Sequence, residues 1–248
     1  MLRRGWWAER PGLRSVEMRP GRCRMSASRQ HASDLRTGHS FLPGWVKEAG
    51  RAGLAPIVRL AIALHLTPNT ITVIGLLITL VASVLVANGF LLLGAAILTG
   101  GSLLDAVDGA LARAQGGGTA FGSFLDSTLD RAGEAILFIG IGAWLLENVA
   151  DPRWPMLALL VALAGSFLVS YSHARAQGIG LAANVGLAPR TERLVLVIAG
   201  VALAGLGFTQ GLIGALVVVA ALTVATVIQR IWHVWRLSQA AATDRMEN

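Results

Sequence analysis

The stretch "LLDAVDGALARAQGGGTAFGSFLDSTLDRAGEA", residues 103–135, decides how this chain is read. It sets five acids, Asp105, Asp108, Asp126, Asp130 and Glu134, beside Arg113 and Arg131. It does so next to the most apolar part of the molecule, because residues 60–104 contain no Asp, Glu, Lys or Arg. Asp105 and Asp108 are spaced i, i+3, and Asp126 and Asp130 are spaced i, i+4. On helices each pair would share one face. The glycine-rich turn "AQGGGT" (114–119) separates the two helices. Counted from that turn, both pairs fall at a similar depth, roughly 9–15 Å along their helices at 1.5 Å per residue. An antiparallel hairpin would therefore gather four carboxylates at one level.

Outward from this cluster the chain reads as a membrane protein. It has 248 residues, 54% hydrophobic and 14% charged, with a mean hydropathy of +0.61. A soluble domain carries about a quarter charged residues. Long uncharged runs with such a deficit indicate an all-α, polytopic membrane protein. Six spans are expected, at about 70–88, 90–113, 120–147 and 154–175, then a hairpin of two across 194–229 broken at "GLGFTQG". Before them, residues 44–65 mix Lys47, Glu48, Arg51 and Arg59 with apolar residues, the pattern of an amphipathic helix lying at the interface. In "LTPNT" (66–70), Pro68 disfavours a continuous helix, and Asn69 or Thr70 can cap the next one. Three segments result: a basic, disordered N-terminal segment (1–43), a membrane domain (44–236) and a cytosolic C-terminal tail (237–248). "MSASRQHASDLRTGHS" from Met25 reads as a second start of translation.

Charge sets the orientation. Twelve of the 21 Lys and Arg lie in residues 1–59. With six spans, Arg113, Arg175, Arg190, Arg193, Arg230, Arg236 and Arg245 share their side, and only Arg153 lies opposite. Positive charge accumulates on the cytosolic side, so both termini are expected there, in a multi-pass protein of the cytoplasmic membrane. Nucleic acid is not an expected partner, since no zinc-finger spacing or basic-aromatic motif accompanies the charge. Cys23 is the only cysteine, and the five histidines show no ligand-like pairing, which argues against a zinc site.

Four ionised carboxylates in a low-dielectric site repel one another. Protonation or divalent cations would relieve this. Hard Mg²⁺ or Mn²⁺ prefers carboxylate oxygen. Two such ions can hold a diphosphate and stabilise displacement at phosphorus. On chemistry alone an intramembrane Mg-dependent prenyltransferase and a divalent-cation transporter use buried acids as well.

The spacing Asp105-x-x-Asp108-Gly109-x-x-Ala112-Arg113, then eight residues, then Gly122-x-x-x-Asp126-x-x-x-Asp130, resembles the signature of the CDP-alcohol phosphotransferase family at all eight fixed positions. That resemblance implies transfer of a phosphatidyl group from CDP-diacylglycerol to an alcohol, with release of CMP. It implies that Asp105, Asp108, Asp126 and Asp130 hold two divalent cations, and that Asp130 doubles as general base. It assigns the CDP-lipid to Gly109, Arg113, Thr119, Gly122 and the segment Thr67, Pro68, Asn69 and Thr70. It also implies a homodimer. "SYSHARAQGIGL" and "GLAPRTERLVLV" resemble the acceptor segments of phosphatidylinositol-phosphate and related synthases, although that branch commonly has Lys where this chain has His173. Arg175, Arg190 and Arg193 suit an anionic, phosphorylated polyol, either inositol phosphate or glycerol 3-phosphate. Serine or choline would need less cationic charge. Arg131 and Glu134 have no assigned part and could pair with each other or tune Asp130.

Overall fold

Pro68 opens a helix, the first of the described residues. The computed structural model describes residues 66–114, 119–181, 185–187 and 189–246, without the side chains of 105–110, 112–114 and 240–246. The expected interfacial helix at 44–65 and the basic segment 1–43 lie outside the described residues. All described residues belong to one unit, Gly38–Asn248.

Among the described residues there are six helices, in order α1 (Pro68–Ala87), α2 (Leu91–Ala114), α3 (Ala120–Asn148), α4 (Arg153–Gly178), α5 (Arg190–Gly205) and α6 (Thr209–Met246). The described residues contain no strand. Neither Asn69 nor Thr70 caps α1. Thr67 does, its side chain accepting from the Thr70 N–H at 3.2 Å, with Pro68 in the first turn. Proline at that position loses nothing, because the first N–H groups of a helix have no intrahelical partner. Glycines follow two of the helices. Gly89 after α1 and Gly207 after α5 have φ of 86° and 93°, a region open to glycine without steric strain.

The residue pairings fix the helix directions. Val86 meets Gly94 and Ile78 meets Gly101, so α2 returns antiparallel to α1. Asn69 meets Gly122 and Ser83 meets Gly140, so α3 runs parallel to α1. α4 turns back beside α3, with Gly142 against Met156 and Leu159. α6 runs parallel to α4, with Gly165 against Thr223. α5 is antiparallel to α6, with Gly200 against Leu212 and Ala215. The residues 67–70, the end of α2 and the start of α3 therefore share one end of the bundle. Among the described residues, α1 packs on α2 and α3, α2 also on α5, α4 on α3 and α6, and α5 on α6. The two acid-bearing helices thus pack along α1 and not along one another, as a simple hairpin would have had it.

The core joins Val86, Leu98, Phe138, Ile141, Leu145, Leu159, Val197, Val201, Leu212 and Leu216 from all six helices. Among the described residues, three helices are long and apolar enough to cross a membrane: α1, α4 and the Thr209–Gln239 part of α6. Of the other three expected spans, α3 carries Asp126, Asp130, Arg131 and Glu134, and α5 has 16 residues; α2 is apolar from Leu91 to Leu104, the part of it whose side chains are described. Apolar side chains such as Leu77, Val81, Leu160, Leu168, Val217 and Ile228 point outward, the inverse of a soluble bundle.

Close approach of α1 and α3 depends on Gly140. A Cβ there would lie 2.5 Å from the Ser83 carbonyl oxygen, while Ser83 Oγ donates to the Ile136 carbonyl at 2.6 Å. Gly140→Ala should therefore destabilise the detergent-solubilised protein by about 1–3 kcal/mol, the usual effect of overpacking. Gly100→Ala, in α2 with nothing within 4 Å of the new Cβ, should leave the thermal midpoint unchanged or raised.

Candidate active site

The site forms where the start of α1 meets α2 and α3. Leu111, fully buried near the end of α2, packs on Ile71 in the first turn of α1, with Leu66 and Leu104 around them. The start of α3 is pinned to the same place. Thr119 caps α3, its side chain accepting from the Gly122 N–H at 2.9 Å. A Cβ at Gly122 would lie 2.9 Å from Asn69 Oδ1 and 3.1 Å from Thr119 Oγ1. Only glycine leaves that space between the two helix starts. Thr67 and Thr70 share a hydroxyl contact at 2.9 Å beside it. Thr67, Pro68, Asn69, Thr70, Thr119 and Gly122, far apart in sequence, therefore form one polar patch. The N-termini of α1 and α3 both open there, which favours a negatively charged group.

Asp126 and Asp130 follow on α3, both partly buried. Asp105, Asp108, Gly109 and Arg113 lie in the last turns of α2, and their side-chain placement lies outside the described residues. Among the described residues no group of three or more His, Cys, Asp or Glu side chains comes close enough to hold a metal. Asp126 and Asp130 fit a hard divalent cation by donor type, offering oxygen and no sulfur or imidazole.

A cavity of about 40 Å³ lies between α1, α2, α3 and α5. Asp130, Gly133 and Glu134 of α3 line it with Thr72, Gly75 and Thr79 of α1, Ser102 of α2 and Arg190 of α5. Arg190 reaches Asp130 at 3.0 Å, with the carboxylate 19% and the guanidinium side chain 36% exposed. One turn deeper, Arg193 reaches Glu134 at 3.3 Å, and here the side chains are 2% and 11% exposed. Glu134 therefore pairs across the bundle and not with Arg131. The Arg131 guanidinium donates to the Ser127 carbonyl of its own helix.

The three expected acceptor arginines separate. Arg190 enters the cavity beside Asp130, and Arg193 is sealed against Glu134. Arg175, exposed in the last turn of α4, lines a different, almost wholly apolar groove between α4 and α6 with Tyr171, Ile179 and Trp235. His173 lies one turn from Gln177, with Nε2 of each ring or amide 3.1 Å apart. Sequence reasoning missed Arg230. It donates from Nε to the Val185 carbonyl at 2.9 Å and from a terminal nitrogen to the Val169 carbonyl. With Thr226 Oγ1, which accepts from the Leu187 N–H at 3.3 Å, it ties the segment before α5 to α4 and α6. The available signal was its position as the first charge after the uncharged run 194–229.

The family model for CDP-alcohol phosphatidyltransferase matches residues 65–229, the span that holds all of these elements. The chain belongs to the CDP-alcohol phosphatidyltransferase family. It is accordingly a transferase of phospholipid biosynthesis. It is 39% identical over 178 residues to the phosphatidylinositol phosphate synthase of Corynebacterium glutamicum, covering 71% of this chain and 81% of that one. It is 38% identical over 186 residues to the archaetidylinositol phosphate synthase of Methanothermobacter thermautotrophicus, covering 73% and 92%. The crystal structure of Mycobacterium tuberculosis phosphatidylinositol phosphate synthase with CDP-DAG bound superposes with a TM-score of 0.68 at 34% identity, covering 73% of this chain and 92% of that one. The same enzyme in complex with manganese and citrate also gives 0.68. Membership of this family removes the prenyltransferase and cation-transporter readings.

Arg230→Ala should free residues 185–187. Amide hydrogen exchange there should accelerate, and stability should fall by about 1–3 kcal/mol as buried carbonyls lose their donors. Unchanged exchange at Val185 and Leu187 would show that Arg230 does not hold this segment.

Proposed function

We propose that this transferase moves the phosphatidyl group of CDP-diacylglycerol to a hydroxyl of a phosphorylated polyol, inositol phosphate in the first place, and releases CMP. The observation that carries the reading is Arg190 on Asp130 at 3.0 Å: a base and a phosphate-binding cation share one cavity. The relatives named as phosphatidylinositol phosphate and archaetidylinositol phosphate synthases favour inositol phosphate. Glycerol 3-phosphate satisfies the same charge logic and is the second acceptor to test.

In this reading the polar patch of Thr67, Pro68, Asn69, Thr70, Thr119 and Gly122 receives the CDP-lipid, with Gly109 and Arg113 contributing from α2. The helix starts and the Arg113 guanidinium suit its diphosphate. Asp105, Asp108, Asp126 and Asp130 would hold two divalent cations, Mg²⁺ or Mn²⁺. When bound, these supply charge that neutralises the diphosphate and stabilises displacement at phosphorus. Arg190 binds the phosphate of the acceptor and sets its hydroxyl beside Asp130. Asp130 takes the hydroxyl proton as that oxygen attacks the lipid-bearing phosphorus. The bond from that phosphorus to the bridging oxygen breaks, and CMP leaves with that oxygen. Arg175 would attract the anionic acceptor from the cytosolic side rather than contact it beside Asp130.

The membrane arrangement belongs to the same proposal. All six helices cross or enter the bilayer, α2, α3 and α5 being accommodated by their polar contacts inside the bundle. An amphipathic helix at 44–65 lies on the cytosolic surface, the domain extends over 44–236, and both termini are cytosolic. The functional unit is a homodimer.

Purified protein with CDP-diacylglycerol and Mg²⁺ should release CMP with inositol phosphate, less with glycerol 3-phosphate, and little with inositol or serine. Product mass identifies the lipid made. Chelation should abolish turnover and added Mg²⁺ or Mn²⁺ should restore it. Asp130→Asn should lower kcat by about 10²–10⁴-fold, the range for loss of a general base. Turnover with unphosphorylated inositol alone would sink the acceptor assignment.

A further inference from the structure

α4 and α6 run parallel, and toward their C-terminal ends they leave a groove of about 450 Å³ between them. Leu168, Tyr171 and Ile179 of α4 line it with Val227, Ile231 and Trp235 of α6. Tyr171, Ile179, Ile231 and Trp235 are each more than half exposed, so this apolar surface is left open by the bundle. Ligand pockets hold roughly 300–1,000 Å³, and the groove falls in that range. From Leu168 to Ile179 it runs about 16 Å at 1.5 Å per residue, close to half of a hydrocarbon core about 30 Å thick. It ends where charge begins. α4 has no Asp, Glu, Lys or Arg from Trp154 to Ala174 and then carries Arg175. α6 has none from Thr209 to Gln229 and then carries Arg230 and Arg236. Tyr171, Trp232 and Trp235 gather at this level, as aromatic residues do where a bilayer meets water. Among the described residues no acid lines the groove, so its mouth is positive. Arg230 is engaged with the Val185 and Val169 carbonyls, and Arg175 is the residue read above as drawing in the acceptor. Arg236 differs from both. It is exposed, follows Trp235 directly and lies over the Trp232 ring at 4.4 Å. A guanidinium stacked on an indole still presents its N–H edge to a phosphate.

We propose that this groove holds one anionic phospholipid of the surrounding leaflet, in addition to the two substrates. One acyl chain lies between α4 and α6, and the headgroup phosphate meets Arg236 beside Trp235. An apolar trough with a cationic, aromatic mouth matches a molecule that is apolar at one end and anionic at the other. A zwitterionic phospholipid fits the trough equally well but carries no net charge to the mouth. This rests on α4 and α6 crossing the bilayer and not on which acceptor is used.

The test places the full-length chain in phosphatidylcholine nanodiscs with a fixed minority of lipid brominated on its acyl chains, either phosphatidylglycerol or phosphatidylcholine. Bromine quenches a tryptophan only at contact range. The Trp235 signal is the difference between the wild type and Trp235→Phe. Brominated phosphatidylglycerol should quench Trp235 about fivefold more effectively than brominated phosphatidylcholine, the scale of one arginine near an anionic headgroup. Arg236→Gln should remove that preference. Val227→Phe together with Val234→Phe, which fills the groove and keeps Arg236, should remove it as well. Equal quenching of Trp235 by the two lipids in the wild type would overturn the proposal. So would a preference that survives filling of the groove, since it would then be a general attraction of a basic surface for anionic lipid. So would a Trp235 shielded from both lipids, which would give the groove to a second copy or to a segment of this chain before residue 66. Trp154, at the start of α4, is read in the same way from Trp154→Phe and should be quenched by either lipid. No quenching there would deny α4 a bilayer, and with it deny the groove its lipid.

Discussion

Two carboxylates on α3 and two guanidiniums on α5 constrain everything at the charged end of this bundle. An ion pair in a low-dielectric interior gains Coulomb energy but loses hydration. Removing one partner of such a pair leaves a buried charge and typically destabilises by about 3–5 kcal/mol. Arg193 with Glu134 meets that description. Arg190 with Asp130 does not, because that arginine is more than a third exposed. The two pairs therefore differ in exposure. Arg190 can trade its carboxylate for another anion of similar geometry, and a phosphate is such an anion.

α1 is the ruler against which the other elements are placed. It bears no charge, and its two packing faces hold α2 antiparallel and α3 parallel. The pairing of Asn69 with Gly122 at one end and of Ser83 with Gly140 at the other fixes the register of α3 on α1. Leu111 on Ile71 fixes the end of α2. The polar patch of Thr67, Asn69, Thr70, Thr119 and Gly122 arises from this register, since none of its residues is brought there by the glycine-rich turn alone.

Much of this was legible in the sequence because it is written locally. Uncharged runs and glycine stops gave α2 as 90–113 against Leu91–Ala114, and α3 as 120–147 against Ala120–Asn148. The i, i+4 spacing put Asp126 and Asp130 on one face. The cap of α1 was misplaced by two or three residues because proline at the first helical position moves the cap to the residue before it, Thr67. What stayed hidden is tertiary. Glu134 and Arg193 are 59 residues apart, and Arg131 offered itself as a nearer partner at i, i+3 until its own helix's carbonyl claimed it. Three arginines of one expected pocket look equivalent in sequence. Only the direction each leaves its helix separates Arg190 from Arg193, and both from Arg175.

The distribution of small residues completes the logic. Away from the charged end the helices approach at several glycines so closely that a Cβ has no room. At Gly94 it would lie 2.6 Å from the Val86 side chain, and at Gly205 it would lie 2.8 Å from that of Leu92. At Gly133, in the cavity wall, the nearest atom would be an ordinary 3.6 Å away. Packing of this density does not deform continuously. Contacts made by long arginine side chains do, since they can rotate through rotamers without moving a backbone. Rigid contact thus runs through the bundle down to Gly122 against Asn69, and the charged end adds side-chain electrostatics to it. A transferase that must admit two substrates and release two products finds its freedom in those charged side chains.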